Sequence, residues 1–173
     1  MNIVLAQIFR LISSVFYLAG DRSNNKKKIY TCNGIYNFFS GIQYLLLNAI
    51  TGALCSFLAI LRNIFLFKYG KKVPILGFII YLVIVLILNL LAYDELITIL
   101  PFFLVLFYSI ALYIGNVKII KYSVILTCLL EIIYDVYYHA YVGIIVNILD
   151  IILVTISLYK LKRNNVKKKM IYN

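Results

Sequence analysis

From residue 29 to residue 61 the chain contains no Asp, Glu, Lys, Arg or His. A helix rises about 1.5 Å per residue and the hydrocarbon core of a bilayer is about 30 Å thick, so about 20 apolar residues make one crossing. This stretch is far too long for one crossing and too apolar for water. It must therefore cross, turn and cross back. The turn is expected near Asn48 to Gly52, giving helices over residues 29–47 and 49–69. A second uncharged run, residues 75–93, has Asn89 as its only strongly polar side chain and is the length of a single span. Composition agrees: 64% of the 173 residues are hydrophobic and 13% charged, proportions that a soluble domain of this size could not hide.

The remaining apolar runs predict helices over residues 2–20, 96–115, 119–138 and 141–159, with Pro101 kinking the first turns of its helix. The fold class is an all-α integral membrane protein of seven transmembrane helices. Residues 1–69 form a first triple-helix bundle, 70–95 a linker helix, 96–160 a second bundle and 161–173 a basic tail. An unpaired linker turns the chain over, so the two bundles enter the membrane from the same side and can be parallel repeats.

Basic residues give an independent test, because cytoplasmic loops concentrate Lys and Arg. With the N-terminus outside, every Lys and Arg except Arg10 and Arg62 falls on the cytoplasmic side, including Lys68, Lys71, Lys118, Lys121 and the tail. The outer connections hold Asn48, Asp94, Glu95 and His139. A cleaved leader is not expected, since no positive charge precedes the first run. The net charge of +11 thus reads as a topology signal and not as a nucleic-acid surface.

Sliding residues 29–69 by 91 positions pairs Ile29 with Ile120, Ala49 with Ala140, Gly52 with Gly143 and Leu58 with Leu149. Polar positions also fall in register: Ser40 with Glu131, Tyr44 with Asp135, Asn48 with His139, Ser56 with Asn147. Such register is what a parallel repeat about the membrane normal requires.

Leu5-Ala6-Gln7, the turn from Leu45 to Gly52, the run through Ala59-Ile60-Leu61-Arg62-Asn63, and Leu100-Pro101 resemble the YgjV-type bacterial inner-membrane proteins over nearly the whole chain. That family is similar in layout to the SWEET and PQ-loop transporters, two triple-helix bundles joined by a linker. The resemblance implies an inner-membrane location and a solute path between the bundles. Ala6-Gln7 stands where a PQ-loop protein has Pro-Gln, and Phe102 follows Pro101 in place of Gln, so the carry-over is partial and leaves both the gating step and transport itself open.

An ionisable side chain at mid-helix costs about 2.5–3.5 kcal/mol on insertion scales. Five occur: Arg10 and Arg62 in the first block, Glu131, Asp135 and Asp150 in the second. Two readings follow. In one, the acids line a solute path with Asn33, Asn37, Tyr44 and Asn147. In the other, Arg10 or Arg62 pairs with Glu131 or Asp150 and the charges only hold the bundles together. Asn33, Tyr36, Asn37, Ser40 and Tyr44 share one helix face, as do Glu131, Tyr134, Asp135 and Tyr138, and both faces should point inward. Asn147 resembles the solute-contacting Asn of SWEET proteins.

Cys32, Cys55 and Cys128 are odd in number and widely spaced, so neither a disulfide framework nor a metal site is expected, and no cofactor motif is present. No nucleophile, matched acid/base pair or phosphate loop points to an enzyme. The expected partners are the lipid bilayer and a small polar solute, with a homo-oligomer permitted by the sequence but not required. The expected function is small-solute transport; the alternative is a non-transporting membrane scaffold.

Overall fold

The computed structural model describes residues 3–21, 23, 25–69, 74–93 and 95–171, with residues 21 and 162–171 described by backbone alone. Arg22, Lys71, Lys72 and Asp94, assigned above to loops, lie outside the described residues. Among those described, the chain is all helical: α1 Ile3–Asp21, α2 Lys26–Leu46, α3 Ile50–Tyr69, α4 Ile75–Leu91, α5 Leu100–Ile114, α6 Val117–Tyr137 and α7 Tyr141–Ile171. α1, α3, α7 and the segment Leu96–Ile114 are long and apolar enough to cross a membrane, and α4 is a shorter apolar helix. α2 and α6 fall outside that set because they carry the polar side chains, Asn33, Asn37 and Gln43 on one and Glu131 and Asp135 on the other.

Three local differences from the sequence reading have simple causes. Leu96–Ile99 is a 3-10 turn, and Pro101 then sits in the first turn of α5, where its missing N–H costs nothing, so it starts a helix and does not kink one. Val117 and Lys26 begin their helices two to three residues early because Asn116 and Asn25 cap them. α7 continues to Ile171, so the basic tail extends a helix.

The same two devices recur 91 residues apart. Asn25 Oδ1 accepts from Lys27 N–H at 3.1 Å, and Asn116 Oδ1 accepts from Lys118 N–H at 3.0 Å, each satisfying an orphan donor of the first helical turn. At the other end of these helices Asn48 (φ 60°) and His139 (φ 56°) both take the left-handed conformation. Ala49 N–H then donates to Tyr44 O at 2.9 Å, and Ala140 N–H to Asp135 O at 2.8 Å. One short turn, used twice, folds α2 back onto α3 and α6 back onto α7.

α1 packs on α2 and α2 on α3; α5 packs on α6 and α6 on α7. The two groups meet where α1 lies against α7 and α3 against α5. α4 touches α3 and α5, where Asn89 Nδ2 donates to Cys55 Sγ at 2.9 Å and the Phe78 and Tyr113 rings stack at 4.5 Å. Burial is inverted relative to a water-soluble protein. Val4, Leu11 and Val15 on α1 and Ile80, Val83 and Ile87 on α4 face outward, whereas Arg10, Gln43, Asn63, Asp135 and Asn147 are buried. Lys121, assigned above to a loop side, is also buried. Apolar outer faces around a polar interior suit lipid as the solvent.

Candidate functional site

The two N-terminal ends produced by the matched turns are each closed by the opposite group of helices. Tyr134, on α6, accepts from Gly52 N–H at 3.1 Å in the first turn of α3. A Cβ at Gly52 would lie 2.9 Å from that hydroxyl, so glycine is what lets the phenol approach. Gln7, on α1, accepts from Val142 N–H at 3.0 Å in the first turn of α7 and donates to His139 O at 3.1 Å. Side chains thus satisfy orphan donors across the seam between the groups.

Behind these contacts lies a buried charge cluster. Arg10 Nη2 is 2.9 Å from Glu131 Oε1 and 3.7 Å from Asp135 Oδ2, joining α1 to α6. Its Nη1 donates to Tyr36 Oη at 3.1 Å and Ser40 Oγ at 3.3 Å on α2, and its Nη2 also reaches Asn147 Oδ1 on α7 at 3.5 Å. Asn147 Nδ2 in turn donates to Asp135 Oδ2 at 3.2 Å. Glu131 Oε1 accepts from Tyr36 at 2.9 Å and Tyr44 at 3.1 Å as well. Tyr44 Oη also stands 3.0 Å from Asp135 Oδ1. A phenol has one proton to donate, so Tyr44 shares it between the two carboxyls or gives it to one at a time. Four helices converge here, and both Nη atoms of the guanidinium are hydrogen-bonded while its buried Nε has no partner.

Glu131 is also the boundary of a cavity of about 80 Å³, room for several waters. Asn33, Tyr36, Asn37 and Tyr44 line it from α2; Gly52, Ser56 and Arg62 from α3; Tyr108 from α5; and Glu131 and Tyr134 from α6. Asn33 Nδ2 donates to Tyr108 Oη at 2.6 Å across it. Arg62 differs from Arg10 in its partners. Nη1 donates to Ser109 Oγ at 2.9 Å, Nε and Nη2 reach Asn63 Oδ1 at 3.3 and 3.2 Å, and the guanidinium carbon lies 5.2 Å from the centre of the Tyr108 ring. All are neutral; among the described residues no carboxylate pairs with it.

The structure therefore divides the residues singled out by sequence. Asn33, Asn37, Tyr44, Glu131 and Arg62 line the cavity, whereas Arg10, Asp135 and Asn147 form the buried cluster beside it. Asp150 accepts from the Cys128 thiol at 3.7 Å, away from the cavity lining, and among the described residues none of α7 lines it. Asn147, singled out above for solute contact, is engaged by Arg10 and Asp135. Sequence reasoning missed Tyr108, Ser109 and Asn63, which hold Arg62; only the adjacency of Asn63 to a mid-helix arginine pointed to any of them. Among the described residues no cluster of His, Cys, Asp and Glu could hold a metal ion.

Apolar helices outside and a hydrogen-bonded charged interior define a multi-pass helical membrane protein. Residues 4–165 match the bacterial inner membrane protein family Imp-YgjV, and the chain belongs to that family. It is accordingly a multi-pass inner-membrane protein whose surrounding partner is the lipid bilayer. No match was found among curated proteins or solved structures.

Proposed function

We propose that this protein is a small-solute carrier in which α1–α3 and α5–α7 are two triple-helix halves, α4 links them, and the solute binds in the cavity between them. In this reading all seven helices cross the membrane, with the N-terminus outside and the C-terminus cytoplasmic, as the distribution of Lys and Arg favours. The repeated cap and turn, 91 residues apart, support two halves of like orientation. The observation that carries the reading is the cavity itself. Polar side chains from both halves, Asn33, Asn37, Ser56 and Arg62 on one and Glu131 on the other, border space that dry packing would have filled.

A second reading, a membrane scaffold without transport, draws support from the Arg10 cluster, which is buried and ties the halves together. The two separate in proteoliposomes. Asn33→Ala and Ser56→Ala leave the ion-pair cluster intact, so a carrier retains its fold and loses uptake of small polar solutes at least tenfold. If no polar solute enters with the unaltered protein, the scaffold reading stands. Single-cysteine labelling at Ser23 and Glu95, on opposite sides in the proposed topology, checks the orientation; modification of both from one side overturns it.

A further inference from the structure

The two buried arginines differ in their pairing: Arg10 is paired with two carboxylates, whereas Arg62 has none within 4 Å among the described residues, and Glu131, on the wall of the same cavity, is already paired with Arg10. We infer that the cavity takes a small oxyanion, a carboxylate or phosphate group seated on the Arg62 guanidinium. This rests on the carrier reading for the site but names its ligand class.

Arg62 is 4% exposed, too buried for bulk water to screen its charge. Its neutral neighbours hold it in place without cancelling that charge. Ser109 takes one N–H of Nη1, while Asn63 Oδ1 takes Nε–H and one N–H of Nη2. Of the five guanidinium N–H groups, one on each Nη is left to meet an oxyanion. The Tyr108 ring supports the cation, and its hydroxyl is fixed by Asn33 Nδ2 at 2.6 Å. Asn33 and Asn37 supply the polar wall for the rest of the molecule. Space of about 80 Å³ suits a molecule of a few non-hydrogen atoms. Arg62 also forms one end of a second, mainly apolar cavity of about 360 Å³ between α3 and α4, lined by Phe65, Phe78 and Tyr81. An anionic lipid headgroup could reach the same guanidinium from there, so the test separates the two sources.

The test uses the full chain in neutral detergent, with calorimetry and thermal unfolding against acetate, inorganic phosphate, glycerol and methylammonium, and against phosphatidylglycerol. Acetate or phosphate is expected to bind while glycerol and methylammonium do not. Arg62→Gln weakens the anion at least tenfold and Arg62→Lys weakens it less. Should Arg62→Gln fail to fold, the charge ranking on the unaltered protein and the Arg62→Lys variant still decide. Equal binding of glycerol, or anion binding indifferent to Arg62→Gln and Arg62→Lys, overturns the inference. So does a response to phosphatidylglycerol alone. Uptake of neutral polyols independent of Arg62 sinks the inference and spares the carrier; Arg62-dependent anion binding without any uptake does the reverse.

Discussion

Arg10 and Glu131 are 121 residues apart in the chain and 2.9 Å apart in space, and their ion pair is the shortest charge contact between the two groups of helices. Breaking a buried pair from one side leaves an uncompensated charge, a loss of about 3–5 kcal/mol. Arg10→Met leaves Glu131 and Asp135 facing each other without a cation and is expected to lose stability on that scale. Exchange of the two residues, Arg10→Glu with Glu131→Arg, recovers much of it. Unfolding midpoints in detergent check both, and an Arg10→Met protein as stable as the original would show that the pair contributes nothing.

Glycine positions separate a packed seam from an open face. A Cβ at Gly143 would collide with the Asp135 carboxylate and lie 3.3 Å from Arg10 Nε, whereas one at Gly34 meets nothing within 4 Å. Gly143→Ala is therefore expected to cost about 1–3 kcal/mol by overpacking. Gly34→Ala, inside α2, should stabilise by about 0.5–1 kcal/mol through helix propensity. The pair is measured side by side by thermal unfolding; equal effects would contradict the packing.

The matched turns predict matched responses. Asn48 and His139 both hold φ near +60°, where a β-branched side chain collides with its own backbone. Asn48→Val and His139→Val should each cost about 1–2 kcal/mol, while Gly at either position is neutral or stabilising. A clear asymmetry between the two sites, read from unfolding free energies, would argue against equivalent turns.

Tyr44 touches both carboxyls, so its phenol, like the Arg10 guanidinium, links the Glu131 and Asp135 side chains. Tyr44→Phe removes a donor from a buried charged cluster and is expected to cost about 1–3 kcal/mol. It also leaves the ring packed edge-on against Tyr134, whose ring centre is 5.5 Å away. Retention of the fold with a lowered unfolding midpoint is the expected result. An unchanged midpoint would mean that water replaces the hydroxyl.

Much of the architecture was legible in the chain because it follows from local physics. The absence of charge across residues 29–61 forces a hairpin, since a bilayer has one thickness and a helix one rise per residue. Asn48 and His139 are residues that tolerate a left-handed turn, and the turns fall there. The polar face of α2, Asn33, Asn37, Ser40 and Tyr44, points inward because three- and four-residue spacing places it on one side. Pro101 was misread as a kink because the 3-10 turn before α5 has no apolar periodicity of its own to mark it.

Partner choice was decided only by the tertiary structure. Sequence established that Arg10, Arg62, Glu131, Asp135 and Asp150 sit within apolar segments, and nothing local distinguished one arginine from the other. Packing α1 against α7, and α3 against α5, put Arg10 beside two acids and Arg62 beside Ser109, Asn63 and Tyr108. The same packing drew Asn147 into the charge cluster and left Asn33 and Asn37 on the cavity wall. Helix formation is fixed by neighbours three and four residues away, but a buried charge is matched by whichever face arrives from a hundred residues off, and that depends on how the helices pack.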